Sequence, residues 1–181
     1  MRVGVLAIQG DVSEHLSIVE KALKEMKIKG NAVPVKKNLR INALIIPGGE
    51  STTISKIMKK TGLSDEIKKT SLPVMGTCAG CVLMDRKHLG LMNMDVERNA
   101  FGRQKESFEA NIEIKGFKKN YHGVFIRAPV ITNVYSECKI LAKFENRIVM
   151  AQEDNKIALS FHPELTNDTR IHRYFLSLIK K

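Results

Sequence analysis

The chain has 181 residues, with 30 Lys and Arg against 19 Asp and Glu, giving a net charge of +11 and a pI near 9.7. That length suits one domain, spanning residues 1–181, whose core needs neither disulfides nor a structural metal. A content of 43% hydrophobic and 27% charged residues excludes a disordered chain.

Cys78, Cys81 and Cys138 are too few and too unevenly spaced for a secreted disulfide framework. The apolar start meets Gln9 and Asp11 too early for a signal peptide, and no apolar run approaches the ~18 residues of a membrane helix. A soluble, cytoplasmic protein is expected. The charge of +11 raises nucleic acid as a partner, since clustered Lys and Arg neutralise phosphates.

In chain order, residues 3–8 form a branched apolar run that predicts a strand buried on both faces. Gly10 and Asp11 break it. Val12, His15, Leu16, Val19, Ala22, Leu23 and Met26 then recur at helical spacing. Gly30 and Asn31 end that helix before a short strand at 32–35. Residues 43–46 predict a buried strand stopped by Pro47-Gly48-Gly49, and 51–60 predict a helix. Residues 73–77 form the third central strand. Strands alternating with helices predict an α/β fold, a three-layer sandwich around a mostly parallel central sheet. Beyond residue 105 the segments 107–114, 123–128, 139–144, 147–152 and 156–161 predict short strands of an antiparallel or mixed flank. A last helix is expected at about 168–179, with Ile171, Phe175 and Leu178 on one face.

The segment Gly76-Thr77-Cys78-Ala79-Gly80 follows a predicted strand and has the form G-x-nucleophile-x-G. That is the sharp strand-to-helix turn on which a nucleophile stands exposed and strained. Its glycines are required because side chains there would collide, and the helix from Ala79 points its positive end at Cys78. A buried structural cysteine is the plainer alternative. A base is supplied by His162, at the C-terminal end of an apolar strand, where parallel sheets place their sites. Glu164 lies two residues on, on the same face in extended geometry, and can orient the imidazole. His15 and His172 fall on amphipathic helices and read as packing or surface residues, whereas His88 and His122 carry no pattern. In Pro47-Gly48-Gly49-Glu50-Ser51, adjacent glycines let backbone N–H groups face an anion, although a plain turn capped by Ser51 reads equally from that segment alone.

Together these three segments resemble the class I, triad-type glutamine amidotransferases, with a flavodoxin-like fold. More narrowly, the chain is similar to the glutaminase subunits of pyridoxal 5'-phosphate synthases. Leu6-Ala7-Ile8-Gln9-Gly10, Gly49-Glu50-Ser51-Thr52-Thr53 and Glu97-Arg98-Asn99-Ala100-Phe101-Gly102-Arg103-Gln104 carry that narrowing. Ser107-Phe108-Glu109, Phe125-Ile126-Arg127-Ala128-Pro129 and Ser160-Phe161-His162-Pro163-Glu164-Leu165-Thr166 complete it. The resemblance implies a catalytic triad of Cys78, His162 and Glu164 that releases ammonia from L-glutamine. It implies an oxyanion hole from the backbone N–H groups of Gly49 and Ala79. Glutamine would be held by Gly49, Glu50, Ser51, Arg98, Ile126 and Arg127. No metal or organic cofactor is implied. The partner that the resemblance implies is a (β/α)₈-barrel synthase subunit in a large hetero-oligomer; that the chain has no room for a sugar-phosphate acceptor site says only that the acceptor enzyme is another chain.

Two departures stand out: Cys81 occupies a position usually aliphatic in the family, and the stretch from Asp85 to His88 is short. Rival readings are a C-x-x-C redox protein built on Cys78 and Cys81, a zinc deaminase with its H-x-E and C-x-x-C in the wrong order, and the glutaminase of imidazole glycerol phosphate synthase. Glu97-Arg98-Asn99 and Phe125-Ile126-Arg127-Ala128-Pro129 speak against the last. Scattered Lys, 6% aromatics and no Trp speak against nucleic-acid binding, and no membrane association is expected.

Overall fold

Continuous apolar runs form the centre of the sheet and alternate between its two faces. In the computed structural model, which describes residues 1–98, 100–101 and 107–179, the strands are β1 (Arg2–Leu6), β2 (Asn31–Val35), β3 (Ala43–Ile46), β4 (Val74–Thr77), β5 (Met94–Glu97) and β6 (Ser107–Ile112). They continue as β7 (Tyr121–Ile126), β8 (Val130–Val134), β9 (Lys139–Phe144), β10 (Arg147–Glu153) and β11 (Lys156–Leu159). The helices are α1 (Val12–Glu25), α2 (Ser51–Thr61), α3 (Leu63–Lys68), α4 (Ala79–Met84) and α5 (Arg170–Ser177), with a 3₁₀ turn at Pro163–Leu165. Asn99, Gly102, Arg103 and Gln104 of the family-like segment lie outside the described residues.

Nine strands form one mixed sheet in the order β2-β1-β3-β4-β11-β10-β8-β5, with β9 also on β10. The half from β2 to β11 is parallel, and β10, β8, β5 and β9 join antiparallel. The parallel half has the flavodoxin-like 2-1-3-4 order, so the chain reverses direction across the sheet between β1 and β3. β6 and β7 form a separate hairpin.

Val3, Val5, Ile45, Met75, Ile157 and Leu159 face one apolar cluster, closed by Val19, Ala22 and Leu23 of α1 and by Ile171, Phe175 and Leu176 of α5. Leu6, Leu44, Ile46, Val74 and Ala158 face the other, closed by α2, α3 and α4. This gives the three layers expected. Each fully buried Leu, Ile or Phe contributes roughly 1.5–3 kcal/mol. Among the described residues, no helix is long and apolar enough to cross a membrane.

The short stretch after α4 is closed by one side chain. Buried Asp85 accepts backbone N–H bonds from Lys87 and His88 through Oδ1, each at 2.9 Å, and approaches His88 Nδ1 at 2.7 Å. α2 is capped by Glu50 and not by Ser51. The Glu50 carboxylate accepts from the N–H groups of Thr52 and Thr53 at 2.9 and 2.7 Å and from the Thr53 hydroxyl at 2.6 Å. The Thr53 hydroxyl, followed by those backbone groups, holds its carboxyl down to about 2.

Candidate active site

Strand register decides which segments meet. Ile46 of β3 and Ala158 of β11 both align with Gly76 of β4. Gly48-Gly49, Cys78 and His162 therefore leave neighbouring parallel strands at the same edge of the sheet. Gln9, Gly10 and Asp11 leave β1 beside them, since Val5 aligns with Ile45. Carboxyl ends of parallel strands near a direction reversal are where open α/β sheets hold ligands.

Cys78 sits between β4 and α4 at φ 49° and ψ −106°. A non-glycine residue held there stores of order 1–3 kcal/mol and needs its surroundings to enforce it. The Cys78 N–H donates to the Leu159 carbonyl at 2.8 Å, which ties the turn to β11. The glycines permit the close approach on both sides. A Cβ on Gly80 would stand 2.0 Å from the Ile46 carbonyl oxygen, and one on Gly76 would stand 2.5 Å from Met84 Sδ and 2.7 Å from the Gly80 carbonyl. The half-buried Cys78 thiol donates to the Ile126 carbonyl at 3.8 Å.

His162 is buried and positioned by its own N–H, which donates to the Val124 carbonyl of β7 at 2.9 Å. Its ring lies against Gly48, where an added Cβ would reach Cε1 at 2.6 Å. Nδ1 donates to Glu164 Oε1 at 2.6 Å and lies 3.2 Å from Asp11 Oδ2. Among the described residues, Nε2 has no nitrogen or oxygen partner, which leaves it for the Cys78 thiol. Burial opposes the imidazolium, but the Asp11 carboxylate, the Cys78 thiol and the Glu164 carboxylate outweigh it and lift His162 to about 12. Burial pushes the Glu164 carboxyl up while its bond to His162 pulls it down. In this pair the proton sits on imidazole Nδ1 and Glu164 accepts.

One cavity of about 630 Å³ opens over these groups. Gly49, Glu50, Ser51, Cys78, Ala79, Arg98, Ile126, Arg127 and His162 all line it. Every residue expected at the site therefore faces one space, except Glu164, which stands behind His162. Gly49 adopts φ 133°, open only to glycine, and Arg127 a left-handed φ of 42°. Arg98 and Arg127 are exposed at the mouth, and Arg98 Nη1 donates to Thr52 Oγ1 at 3.1 Å. Glu50 lines the cavity while its carboxylate is engaged in capping α2.

The model of the SNO glutamine amidotransferase family matches residues 5–181. The chain belongs to that family. It is 48% identical to pyridoxal 5'-phosphate synthase subunit PdxT of Pyrococcus abyssi, with 97% of this chain and 98% of that protein covered. It is 46% identical to the subunit of the same name from Brevibacillus brevis, over 100% of this chain and 98% of that protein. A crystal structure titled glutamine amidotransferase matches with a TM-score of 0.85 at 44% identity, over 98% of both chains.

The two rival chemistries of Cys81 lose their geometry. Its side chain is fully buried in the α4 cluster, and burial pushes its thiol far up, so it neither exchanges disulfides with a partner nor faces His162. Asp11, His162 and Glu164 present ligand atoms within 4.8 Å of one another, but that group includes no cysteine, unlike the zinc set of a deaminase.

Asp11 and two histidines were not read from the sequence as part of the site. Asp11 stands at the N-cap of α1, where Asp normally accepts from the first turn, yet it makes no side-chain cap bond and faces His162. The His162 contact lowers its carboxyl against the opposing effect of burial. His15 and His172 are fully buried. The signal available was a polar side chain on the apolar face of a helix.

Burial, then the proximity of His172 and His162, holds the His15 imidazolium far below its ordinary range, and burial alone holds His172 to about 3. Both are neutral in the fold, whereas the unfolded chain protonates them below about pH 6.5. The folded pKa values are depressed, so this stability is intact above pH 6.5 and is lost as pH falls below it. Each group costs up to about 1.4 kcal/mol per pH unit in that window. His162, with a raised folded pKa, acts in the opposite sense and only as pH rises above 6.5. Urea midpoints at pH 7, 6, 5 and 4 should fall steeply on the acid side, and His172→Phe should flatten the slope by about one proton.

Proposed function

We propose that this chain hydrolyses L-glutamine to L-glutamate and ammonia, and that the ammonia passes to a separate synthase subunit that makes pyridoxal 5'-phosphate. The Cys78 thiol gives its proton to His162 Nε2, and the thiolate attacks the side-chain amide carbon. The resulting oxyanion is held by the backbone N–H groups of Gly49 and Ala79, each such donor being worth about 10²–10³ in rate. His162 returns the proton to the departing nitrogen, and the C–N bond breaks to leave a glutamyl thioester and ammonia. Water, deprotonated by the same imidazole, then attacks the thioester, the C–S bond breaks and glutamate leaves. Glu164 keeps Nδ1 protonated and the ring oriented throughout.

Arg98 and Arg127 suit the α-carboxylate of glutamine, because a guanidinium forks onto a carboxylate. Gly49, Glu50, Ser51 and Ile126 supply the remaining contacts, largely through backbone. No metal or organic cofactor takes part in these steps. The observation that carries the reading is the convergence of three strand-end segments, elbow cysteine, buried His–Glu pair and Gly48-Gly49 turn, on one cavity. The names of the relatives support the B6 pathway over imidazole glycerol phosphate synthase. They also support a complex with a synthase subunit, which we take to be a (β/α)₈ barrel within a large hetero-oligomer in the cytoplasm.

The test mixes this chain with the barrel synthase subunit and follows cofactor formation. Glutamine should support synthesis only when both chains are present, and concentrated ammonium salt should support it with the synthase alone. Glutaminase activity should rise when the synthase binds, and association should weaken with salt if part of the +11 charge faces it. Glutamine hydrolysis that ignores the synthase would overturn the assignment.

A further inference from the structure

Behind Glu164 the polar contacts continue into the core. Oε1 of Glu164 takes the His162 proton, while Oε2 is buried and has no well-aligned hydrogen bond among the described residues. His15 Nε2 stands 3.3 Å from that oxygen and 3.1 Å from Thr77 Oγ1, on the last residue of β4 before the nucleophile. His15 Nδ1 lies 3.4 Å from Nε2 of His172 on α5. α1 thus meets two elements far from it in sequence, the 3₁₀ turn and α5, through side chains that packing alone would have filled with Leu or Phe.

Resting on the triad reading above, we propose that His15 is a positioning residue for the Cys78–His162–Glu164 array, donating Nε2–H towards Glu164 Oε2 and Thr77 Oγ1, with His172 fixing the tautomer in which it can do so. A lone pair on Nε2 would face the lone pairs of a carboxylate, so Nε2 carries the hydrogen. Neutral His15 then has a bare Nδ1, which accepts from His172 Nε2–H. His172 Nδ1 is left bare and unpartnered, and a buried empty acceptor is easier to tolerate than a buried orphan donor. Every proton in the series has one consistent place: His172 to His15, His15 to Glu164 and His162 Nδ1 to Glu164, which leaves His162 Nε2 to take the Cys78 proton. The depressed imidazolium of both inner histidines agrees with this neutral assignment.

The charged and titratable groups around this series are Glu164 on the turn, His172 on α5, Asp11 and His162 across the site and Cys78 on the elbow. Removing the His15 donor raises the pKa of Glu164, which must be ionised, so the acid limb of the rate profile moves upward.

The experiment measures kcat, KM for glutamine and the pH profile of kcat/KM in complex with the synthase subunit, alongside thermal melts. It compares wild type, His15→Phe, His15→Gln, His172→Phe and Cys78→Ala. His15→Phe should lower kcat about 10- to 100-fold, as loss of a group orienting a reactive ligand does elsewhere. KM should change less than about twofold, and the acid limb should move up. His15→Gln, which retains an N–H donor, should recover most of the rate and the limb. His172→Phe should shift the limb in the same direction by less. If His15→Phe does not fold, the wild-type, His15→Gln and His172→Phe profiles decide. Wild-type kcat and pH profile in His15→Phe would overturn the proposal, as would coincident profiles for wild type and His172→Phe, or rates in the His15 variants that track melting temperature with no change of profile. Undiminished activity in Cys78→Ala would instead remove the triad itself.

Discussion

Cys78→Ala should lower glutamine hydrolysis by about 10⁴- to 10⁶-fold, the range lost when a covalent nucleophile is removed from a triad enzyme. Among the described residues no other cysteine lines the cavity, and Cys81 and Cys138 are buried. The fold should survive. Alanine bears the same left-handed backbone strain that cysteine already bears at φ 49°, and the N–H bond to Leu159 is retained. Thermal melts of mutant and wild type should therefore agree within a few degrees, while glutamate release in the presence of the synthase subunit falls to background. The triad acts as a unit, so adding His162→Asn to Cys78→Ala should cost almost nothing more. A large further loss in the double variant would mean that the two side chains act separately.

Gly80→Ala should damage stability and activity together. Its Cβ would stand 2.0 Å from the Ile46 carbonyl oxygen and 2.8 Å from the carbonyl carbon, both backbone atoms of a central strand that cannot rotate away. Overpacking of this kind costs about 1–3 kcal/mol and occasionally more. Because the nearest atoms met are strand backbone, the upper end applies, and ~3 kcal/mol corresponds to a melting temperature lower by roughly 6–12 °C for a chain of this size. The relief available is to push α4 off β3, which moves Ala79 and the thiol out of register with His162. Activity measured well below the melting temperature should therefore fall as well. Gly116→Ala is the comparison, since an added Cβ there meets nothing within 4 Å and only the strain of φ 90° remains. Equal melting losses in the two variants would show that close approach at the elbow is not what glycine supplies.

Much of this arrangement was legible in local sequence. The parallel half reads as mostly apolar runs, and the helix faces of α1 and α5 follow from spacing. The elbow, the His162–Glu164 pair and the Gly48-Gly49 turn were legible because each is built from residues within five positions of one another. β5, β8 and α3 were not. β5 carries Asp95 and Glu97 in four residues, and Asp95 is held outside by Arg86 and the Tyr135 hydroxyl, so no apolar run marks it. β8 starts directly after Pro129, which reads as the end of a strand. α3, at six residues, is too short to show a period. Strand order is likewise absent from local pattern: the short segments after residue 105 read as an antiparallel or mixed flank, but not that β10 enters beside β11 and draws β8, β5 and β9 after it.

The site was legible to its first layer and no deeper. Asp11 looked like a turn residue, and only the packing of β1 against β3 brings it to His162. His15 and His172 are 157 positions apart and become neighbours only because α1 and α5 share one face of the sheet. Glu50 displaced Ser51 as the cap of α2 because its longer side chain reaches two backbone N–H groups at once.

The most direct measurement labels the protein, in complex with the synthase subunit, with a glutamine analogue bearing a diazoketone in place of the side-chain amide, and maps the adduct by peptide mass spectrometry. The triad assignment predicts one equivalent of label on Cys78, none on Cys81 or Cys138, protection by excess glutamine, and loss of glutaminase activity in step with labelling. Label on another residue, or full activity retained after Cys78 is labelled, would contradict it.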